Sequence, residues 1–199
     1  MFAKLSYKRS AMLGIAALAA FTITAPQAHA GFIATVQQVG SDVVITGSGT
    51  LNTNALVLLS GTGTSTIPAI NPSNGTLNLS GGLDQLFGTI VGPASFGSGG
   101  LLVASSFTGD AAGTNAFFGR SIIVPLGYVS GAALSDSDTF NSTTIAGLGI
   151  TPGTYVWTWG TGQNADFFEI TTNAPEPASI LLVGSAMLAL LTLRRRIAR

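Results

Sequence analysis

The sequence predicts a mainly β fold, an antiparallel β-sandwich or jelly roll, flanked by an N-terminal signal helix and a C-terminal transmembrane helix. Glycine supplies 26 of the 199 residues, about twice its usual share of ~7%. A chain so rich in Gly, Thr, Ser and Asn is poor in helix formers and rich in turn formers. Short apolar or β-branched runs recur between turn residues at intervals of roughly 8–12 residues, as in sandwiches and barrels.

The first predicted strands form a hairpin. Ile33–Gln38 and Val43–Gly49 are β-branched or apolar runs, and Gly40–Asp42 supplies a turn between them. Ala55–Leu59 is a continuous apolar run, which favours a strand buried on both faces. Gly61–Ser73 is polar and contains two prolines, so we expect a loop there.

The middle of the chain alternates between strand and loop patterns. Thr76–Leu79 reads Thr, Leu, Asn, Leu, as a half-buried strand does. The pattern of Asp84–Val91 is ambiguous, and a helical turn within it is one interpretation. Leu101–Phe107 and Ser121–Leu126 have strand composition, and the glycine-rich stretch Gly109–Gly119 between them predicts a loop.

The last segment predicts a β-hairpin with an aromatic face. Thr154–Trp159 and Asp166–Thr172 alternate in polarity, and Gly160–Gln163 forms the turn between them. Three aromatic residues share one face of the first strand: Tyr155, Trp157 and Trp159. That face packs in a sheet core, where aromatic side chains bury much apolar area, or forms a platform for stacking sugars.

Residues 1–30 have the layout of a secretory signal peptide. The charged region contains Lys4, Lys8 and Arg9. Ala11–Ile23 is the apolar region, and Ala28 and Ala30 supply the small side chains that signal peptidase requires. We therefore expect cleavage before Gly31, with an uncleaved N-terminal anchor as the alternative.

The C-terminal segment, residues 175–199, has three parts in a fixed order. Pro175, Glu176 and Pro177 come first, and the sixteen uncharged residues Ala178–Leu193 follow. As a helix these rise about 24 Å, less than the ~30 Å of a bilayer core. A basic tail over residues 194–199 ends the chain, with Arg194, Arg195, Arg196 and Arg199. Because Lys and Arg are in excess on cytoplasmic flanks, the chain before Ala178 is expected outside the cytoplasm.

This C-terminal order resembles the PEP-CTERM sorting signal of bacterial exported proteins. Thr151–Asp166 also resembles a stretch that recurs just before the tail in that family. The resemblance implies that a membrane-embedded protease, the exosortase, removes the tail near Pro-Glu-Pro. It further implies an inner-membrane precursor, a final location at the cell surface or in the extracellular matrix, and association with exopolysaccharide or biofilm. An ordinary C-terminal anchor is the alternative.

Charge and residue content exclude several classes of function. Between Gly31 and Pro177 there are eight acidic residues and one basic residue, Arg120, a formal net charge of −7. Nucleic acids and anionic membranes need clustered cations, so neither is an expected partner. The chain has no cysteine, and its one histidine, His29, precedes the expected cleavage point. Ser-His-Asp and Cys-His catalysis and the usual zinc sites are therefore excluded from the exported part.

Two groups of acidic residues are candidate sites. Ser135–Thr139 reads S-D-S-D-T and is interpreted as a solvated loop, with calcium binding by Asp136 and Asp138 as the alternative. Asp166 and Glu169 could serve glycoside hydrolysis only if they converged. Three residues apart on a strand they point to opposite faces, which argues against it.

The sequence thus predicts a signal peptide, an exported β domain over residues 31–174, and a sorting segment over residues 175–199. Its predicted function is that of a surface or matrix protein without catalysis, cofactor or metal. Expected partners are signal peptidase and the exosortase during processing, and exopolysaccharide afterwards. A carbohydrate-binding module that uses Tyr155, Trp157 and Trp159 is the alternative function.

Overall fold

The structure, a computed structural model, describes residues 31–116 and 119–172. The predicted signal peptide and the predicted sorting segment lie outside the described residues. Thirteen strands and two short 3-10 turns form in the described ranges, with no α-helix among them, which confirms the mainly β prediction. The strands are β1 Phe32–Val39, β2 Asp42–Thr50, β3 Val57–Thr66, β4 Ala69–Asn71, β5 Thr76–Leu79, β6 Gly82–Gly88, β7 Leu102–Val103, β8 Ser106–Gly109, β9 Ala112–Asn115, β10 Ser121–Pro125, β11 Ala133–Phe140, β12 Thr154–Trp159 and β13 Asp166–Thr172. The 3-10 turns are Pro72–Asn74 and Gly162–Asn164.

The strands form two sheets. The first has the order β12-β13-β1-β2-β11-β8, and the second has the order β3-β6-β10-β9-β5-β4-β7. Pairing is antiparallel throughout these sheets except between β1 and β13, which run parallel. One hydrophobic cluster contains buried residues of both sheets, such as Phe32 from the first and Leu77 from the second. This arrangement is consistent with a β-sandwich.

The hairpins predicted at the two ends of the β domain are confirmed. β1 and β2 pair from Phe32↔Gly49 to Val39↔Asp42. Gly40 occupies the turn with φ of 61°, a conformation that costs glycine little because it has no Cβ. β12 and β13 pair from Thr154↔Thr171 to Trp159↔Asp166.

The interpretation of Ala55–Leu59 as a strand buried on both faces is wrong. Val57, Leu58 and Leu59 begin β3 and are 58%, 47% and 49% exposed, because β3 is an edge strand of the second sheet. The loop predicted over Gly61–Ser73 is also wrong in large part. β3 continues to Thr66 through its pairing with β6, and β4 follows.

Three further predictions in the second sheet need correction. All four residues of Thr76–Leu79 are buried, because β5 lies inside the sheet between β9 and β4. The ambiguous stretch Asp84–Val91 contains most of strand β6 and no helical turn among its described residues. The glycine-rich stretch Gly109–Gly119 contains the buried strand β9.

Leu101–Phe107 does not form one strand. It divides into β7, which pairs with β4 in the second sheet, and β8, which pairs with β11 in the first. Ser121–Leu126 is confirmed as a strand, since β10 covers Ser121–Pro125.

The interpretation of the acidic segment as a solvated loop is wrong. Ser135–Thr139 lies in the middle of β11, which pairs with β2 on one side and β8 on the other. Asp136 is 7% exposed and Asp138 is fully buried.

Candidate functional site

The aromatic face of β12 lies in the core. Trp157 is 1% exposed and Trp159 is 4% exposed, while Tyr155 is half-buried. Trp157 packs edge-on against Phe168, with ring centroids 6.2 Å apart, and against Phe96, with centroids 6.3 Å apart. This burial leaves neither indole exposed for stacking on a sugar.

Each polar group of these aromatic residues has a backbone partner. Trp157 Nε1 donates to the carbonyl of Pro93 over 3.2 Å, and Trp159 Nε1 donates to the carbonyl of Asn52 over 2.7 Å. The Tyr155 hydroxyl donates to the carbonyl of Thr151 over 2.8 Å. Because their polar groups are satisfied, both indoles suit a buried position.

The most unusual group in the core is the pair of aspartates on β11. Burial alternates along this strand, so Leu134, Asp136, Asp138 and Phe140 all face inward. Leu134 and Phe140 belong to the hydrophobic cluster. The two carboxyls therefore lie between apolar neighbours on the inner face of the first sheet.

The strands beside β11 leave Asp136 with two glycine neighbours. Its cross-strand partners are Gly47 on β2 and Gly109 on β8. A Cβ at Gly47 would lie 2.4 Å from the Phe32 ring, so core packing requires glycine there. A Cβ at Gly109 would lie 2.3 Å from the carbonyl oxygen of Ser135.

Ser80 approaches the aspartates from the second sheet. It follows β5, and its backbone N–H donates to Asp138 Oδ1 over 3.2 Å, joining the two sheets. Ser80 is 1% exposed, and its φ of 48° is uncommon for a residue with a side chain.

The hydroxyl of Ser80 faces Asp136. The hydroxyl favours the charged form of Asp136, so it partly opposes the rise in the pKa of that carboxyl that burial causes. The geometry falls short of a hydrogen bond, however. Four side-chain oxygens of this group lack hydrogen-bond partners among the described residues: Ser80 Oγ, Asp136 Oδ1 and Oδ2, and Asp138 Oδ2. We call these three residues the Asp-Ser cluster.

Burial perturbs both carboxyls. Desolvation, reinforced by the charge of Asp138 and more weakly by that of Asp110, raises the pKa of Asp136 to about 7. Desolvation raises the pKa of Asp138 to about 6, against the lowering effect of the Ser80 backbone hydrogen bond. A buried carboxylate is costly unless a proton, a cation or hydrogen bonds compensate its charge.

Within residues 31–116 and 119–172, no basic side chain is placed to compensate these charges. Arg120 is the one Lys or Arg between Gly31 and Thr172. It is exposed, and its Nη1 donates to the carbonyl of Gly92 over 3.0 Å.

A second buried acid, Asp84 on β6, provides a comparison. It is fully buried, and the hydroxyl of Thr66 donates to its Oδ2. Burial raises the pKa of Asp84, while hydrogen bonds from Thr66 lower it. Asp84 Oδ1 also lacks a hydrogen-bond partner among the described residues. Its Oδ2, however, accepts a side-chain hydrogen bond from Thr66, whereas Asp138 accepts only a backbone hydrogen bond and Asp136 accepts none.

The second candidate acid pair, Asp166 and Glu169, does not converge. Asp166 and Glu169 occupy alternate faces of β13, with Asp166 buried and Glu169 partly exposed. Asp166 has a structural role, because it accepts hydrogen bonds from the backbone N–H groups of Asn52 and Phe167.

Sequence reasoning missed Ser80 and the burial of the aspartates. The sequence contains a signal for the second, because Leu134, Asp136, Asp138 and Phe140 alternate with period two. A strand that buries Leu134 and Phe140 must bury the two aspartates as well. Ser80 gives no comparable signal, because it reaches the cluster from a different sheet.

The remaining predicted site residues lie outside the described ranges: Ala28, Ala30, Pro175, Glu176, Pro177, Arg194, Arg195, Arg196 and Arg199. Over residues 31–116 and 119–172, no helix is long and apolar enough to cross a membrane. In the same ranges, no three His, Cys, Asp or Glu side chains lie together as a metal site. No family model, curated protein or solved structure matches the chain.

Proposed function

We propose that the chain is an exported surface or matrix protein that the exosortase system sorts through residues 175–199. The observation that carries this proposal is the order of three features in the tail: Pro-Glu-Pro, sixteen uncharged residues and an arginine cluster. The short apolar segment supports transient anchoring, since its ~24 Å helical length is poor for a permanent span.

The signal peptide supports the same topology. Signal peptidase cleaves before Gly31, and the β domain is left outside the cytoplasm. The basic tail gives the same orientation independently through the excess of Lys and Arg on cytoplasmic flanks. In the precursor, the signal helix and the transmembrane helix flank a β-sandwich or jelly roll.

The role at the surface is structural, in a matrix that contains exopolysaccharide. Support comes from the formal charge of −7 over Gly31–Pro177 and from the absence of histidine and cysteine in that range. A carbohydrate-binding role for Tyr155, Trp157 and Trp159 is disfavoured, because both indoles are buried.

The proposal is tested by replacing Pro175, Glu176 and Pro177 with alanine in the native host. Two prolines restrict this tripeptide to extended backbone, a form that a protease cleft accepts. The variant is expected to be exported but to keep its tail, so it accumulates in the inner membrane at the larger mass. Cell fractionation and mass spectrometry measure both effects.

The matched control changes Gly184 and Ser185 to alanine, which alters the apolar segment and keeps Pro-Glu-Pro. It should be processed like the parent. Normal processing and distribution of the Pro-Glu-Pro variant would overturn the sorting proposal and leave an ordinary membrane anchor.

A further inference from the structure

We propose that Asp136, Asp138 and Ser80 bind one divalent cation of the calcium type between the two sheets. This inference goes beyond the proposed sorting and does not rest on it. Its basis is the set of four buried side-chain oxygens without hydrogen-bond partners among the described residues, supplied from both sheets.

The donor set favours a hard cation. All four atoms are carboxylate or hydroxyl oxygens, and oxygen ligands suit Ca²⁺ and Mg²⁺ rather than softer metals. Ca²⁺ accepts six to eight oxygens in flexible geometry, including water and backbone carbonyls. Mg²⁺ demands near-ideal octahedral geometry, which side chains from two separate sheets are less suited to supply.

Ser80 is the observation that distinguishes this group from a chance pair of acids. Ser80 is 1% exposed and its hydroxyl faces Asp136, yet that hydroxyl lacks a hydrogen-bond partner in the described part of the chain. A neutral hydroxyl beside two carboxyls adds a ligand without adding charge. Glycine would adopt the φ of 48° found at Ser80 more easily than serine does. Glycine has no hydroxyl, however, and could not supply this ligand.

The charge balance also favours a cation. Asp136 and Asp138 lie two residues apart on one face of β11, so their Cα atoms are about 6.6 Å apart. Two negative charges would therefore lie close together when both carboxyls are ionised. Arg120, the one basic residue of the described ranges, is exposed and donates a hydrogen bond to the carbonyl of Gly92. A bound divalent ion would neutralise both carboxylates at once.

The cluster lies close to the edge of the first sheet. β11 is one strand from the edge of the first sheet, and all four residues of the edge strand β8 are exposed. Gly109, which has no side chain, is the β8 partner of Asp136. The next residue, Asp110, is exposed and accepts a hydrogen bond from the Ser135 N–H. A third carboxylate therefore lies at the end of the edge strand β8.

The test is a calcium titration of the purified full-length protein at pH 8, after chelation, followed by thermal unfolding and calorimetry. Extracellular calcium modules bind with Kd of about 10⁻⁴–10⁻³ M. At that affinity, 10 mM CaCl₂ should raise the unfolding midpoint by roughly 3–10 °C. Calorimetry should show one ion per chain, and NaCl of equal ionic strength should give no comparable shift.

Variants locate the site. Asp136→Asn and Asp138→Asn should each weaken calcium binding at least tenfold, and Ser80→Ala should weaken it by a smaller factor. Asp84→Asn is the matched control, because it removes another buried acid from the second sheet, and it should keep the full calcium shift. The Asp→Asn variants keep the side-chain volume, so they should remain folded.

The absence of a calcium shift in the parent would overturn the proposal. An equal shift in the parent, Asp136→Asn and Asp138→Asn would overturn it as well, because the ion would then bind elsewhere. Tighter binding of Mg²⁺ than of Ca²⁺ would contradict the calcium-type assignment.

Discussion

Replacing Asp136 with asparagine should stabilise the cation-free protein at pH 8. Burial raises the pKa of this carboxyl from an ordinary 3.8 to about 7. One pKa unit corresponds to about 1.4 kcal/mol, so ionising the native-state carboxyl costs about 4 kcal/mol. Asparagine removes that charge and keeps a polar side chain that can donate to Asp138 or Ser80. Because the coupled pair shares this cost, we expect a gain of roughly 2–4 kcal/mol.

The same shifts determine how stability depends on pH in chelator. Between pH 3.8 and about 7 the folded state binds more protons than the unfolded state at Asp136, and the pKa of Asp138 is raised to about 6. Stability should therefore fall as pH rises through this window and become level above about pH 7. Two smaller effects oppose each other: Ser80 lowers the pKa of Asp136, and the charge of Asp110 raises it.

Urea unfolding of the parent and Asp136→Asn at pH 5 and pH 8, both in chelator, measures the two effects. The parent should lose up to about 4 kcal/mol between these pH values, and the variant should lose less. The reasoning is refuted if parental stability is constant or rises over this range while Asp136→Asn is destabilised at pH 8. Asp84→Asn is the control for removal of a buried acid elsewhere.

Two substitutions test the packing of the first sheet. Trp157→Ala should cost about 3–5 kcal/mol, since Trp157 is 1% exposed and packs on two aromatic rings, while its 37%-exposed neighbour Val156 should tolerate alanine. Urea unfolding measures both, and a fully stable Trp157→Ala protein that no longer binds a polysaccharide would favour the carbohydrate-binding alternative. Gly47→Ala should cost about 1–3 kcal/mol by overpacking, because its Cβ would lie 2.4 Å from the Phe32 ring. Ser48→Ala, on the exposed face of the same strand, is the control, and equal stability of the two variants would contradict the packing described.

Strands were predictable where alternation and turn chemistry agree. In the terminal hairpin, Trp157 and Phe168 occupy buried positions in their strands, and the register pairs them. Gly40 provides the turn conformation of the first hairpin. In both cases the information is local, so a single stretch of sequence contains it.

The position of a strand within a sheet could not be predicted, because pairing depends on distant residues. An apolar run such as Val57–Leu59 fits a central strand, yet β3 lies at an edge and exposes these residues. Thr76 and Asn78 look half-exposed in sequence, but β5 has a neighbour on each side and its residues are buried.

The candidate site contains residues with a local sequence pattern and a residue that only long-range packing brings to them. The sequence indicates Asp136 and Asp138 as a possible pair, but their polarity favours a loop, whereas the structure places both on the inner face of β11. Ser80 is 56 residues away from Asp136 along the chain, and only the packing of the sheets brings it to the aspartates. No local pattern could have included it.

The most direct test of the proposed export and sorting is the intact mass of the protein recovered from the cell surface or the extracellular medium of the native host. The account predicts a chain that begins at Gly31 and lacks the segment Ala178–Arg199. A surface-localised chain that begins at Met1 and ends at Arg199 would contradict both the signal peptide and the removable tail.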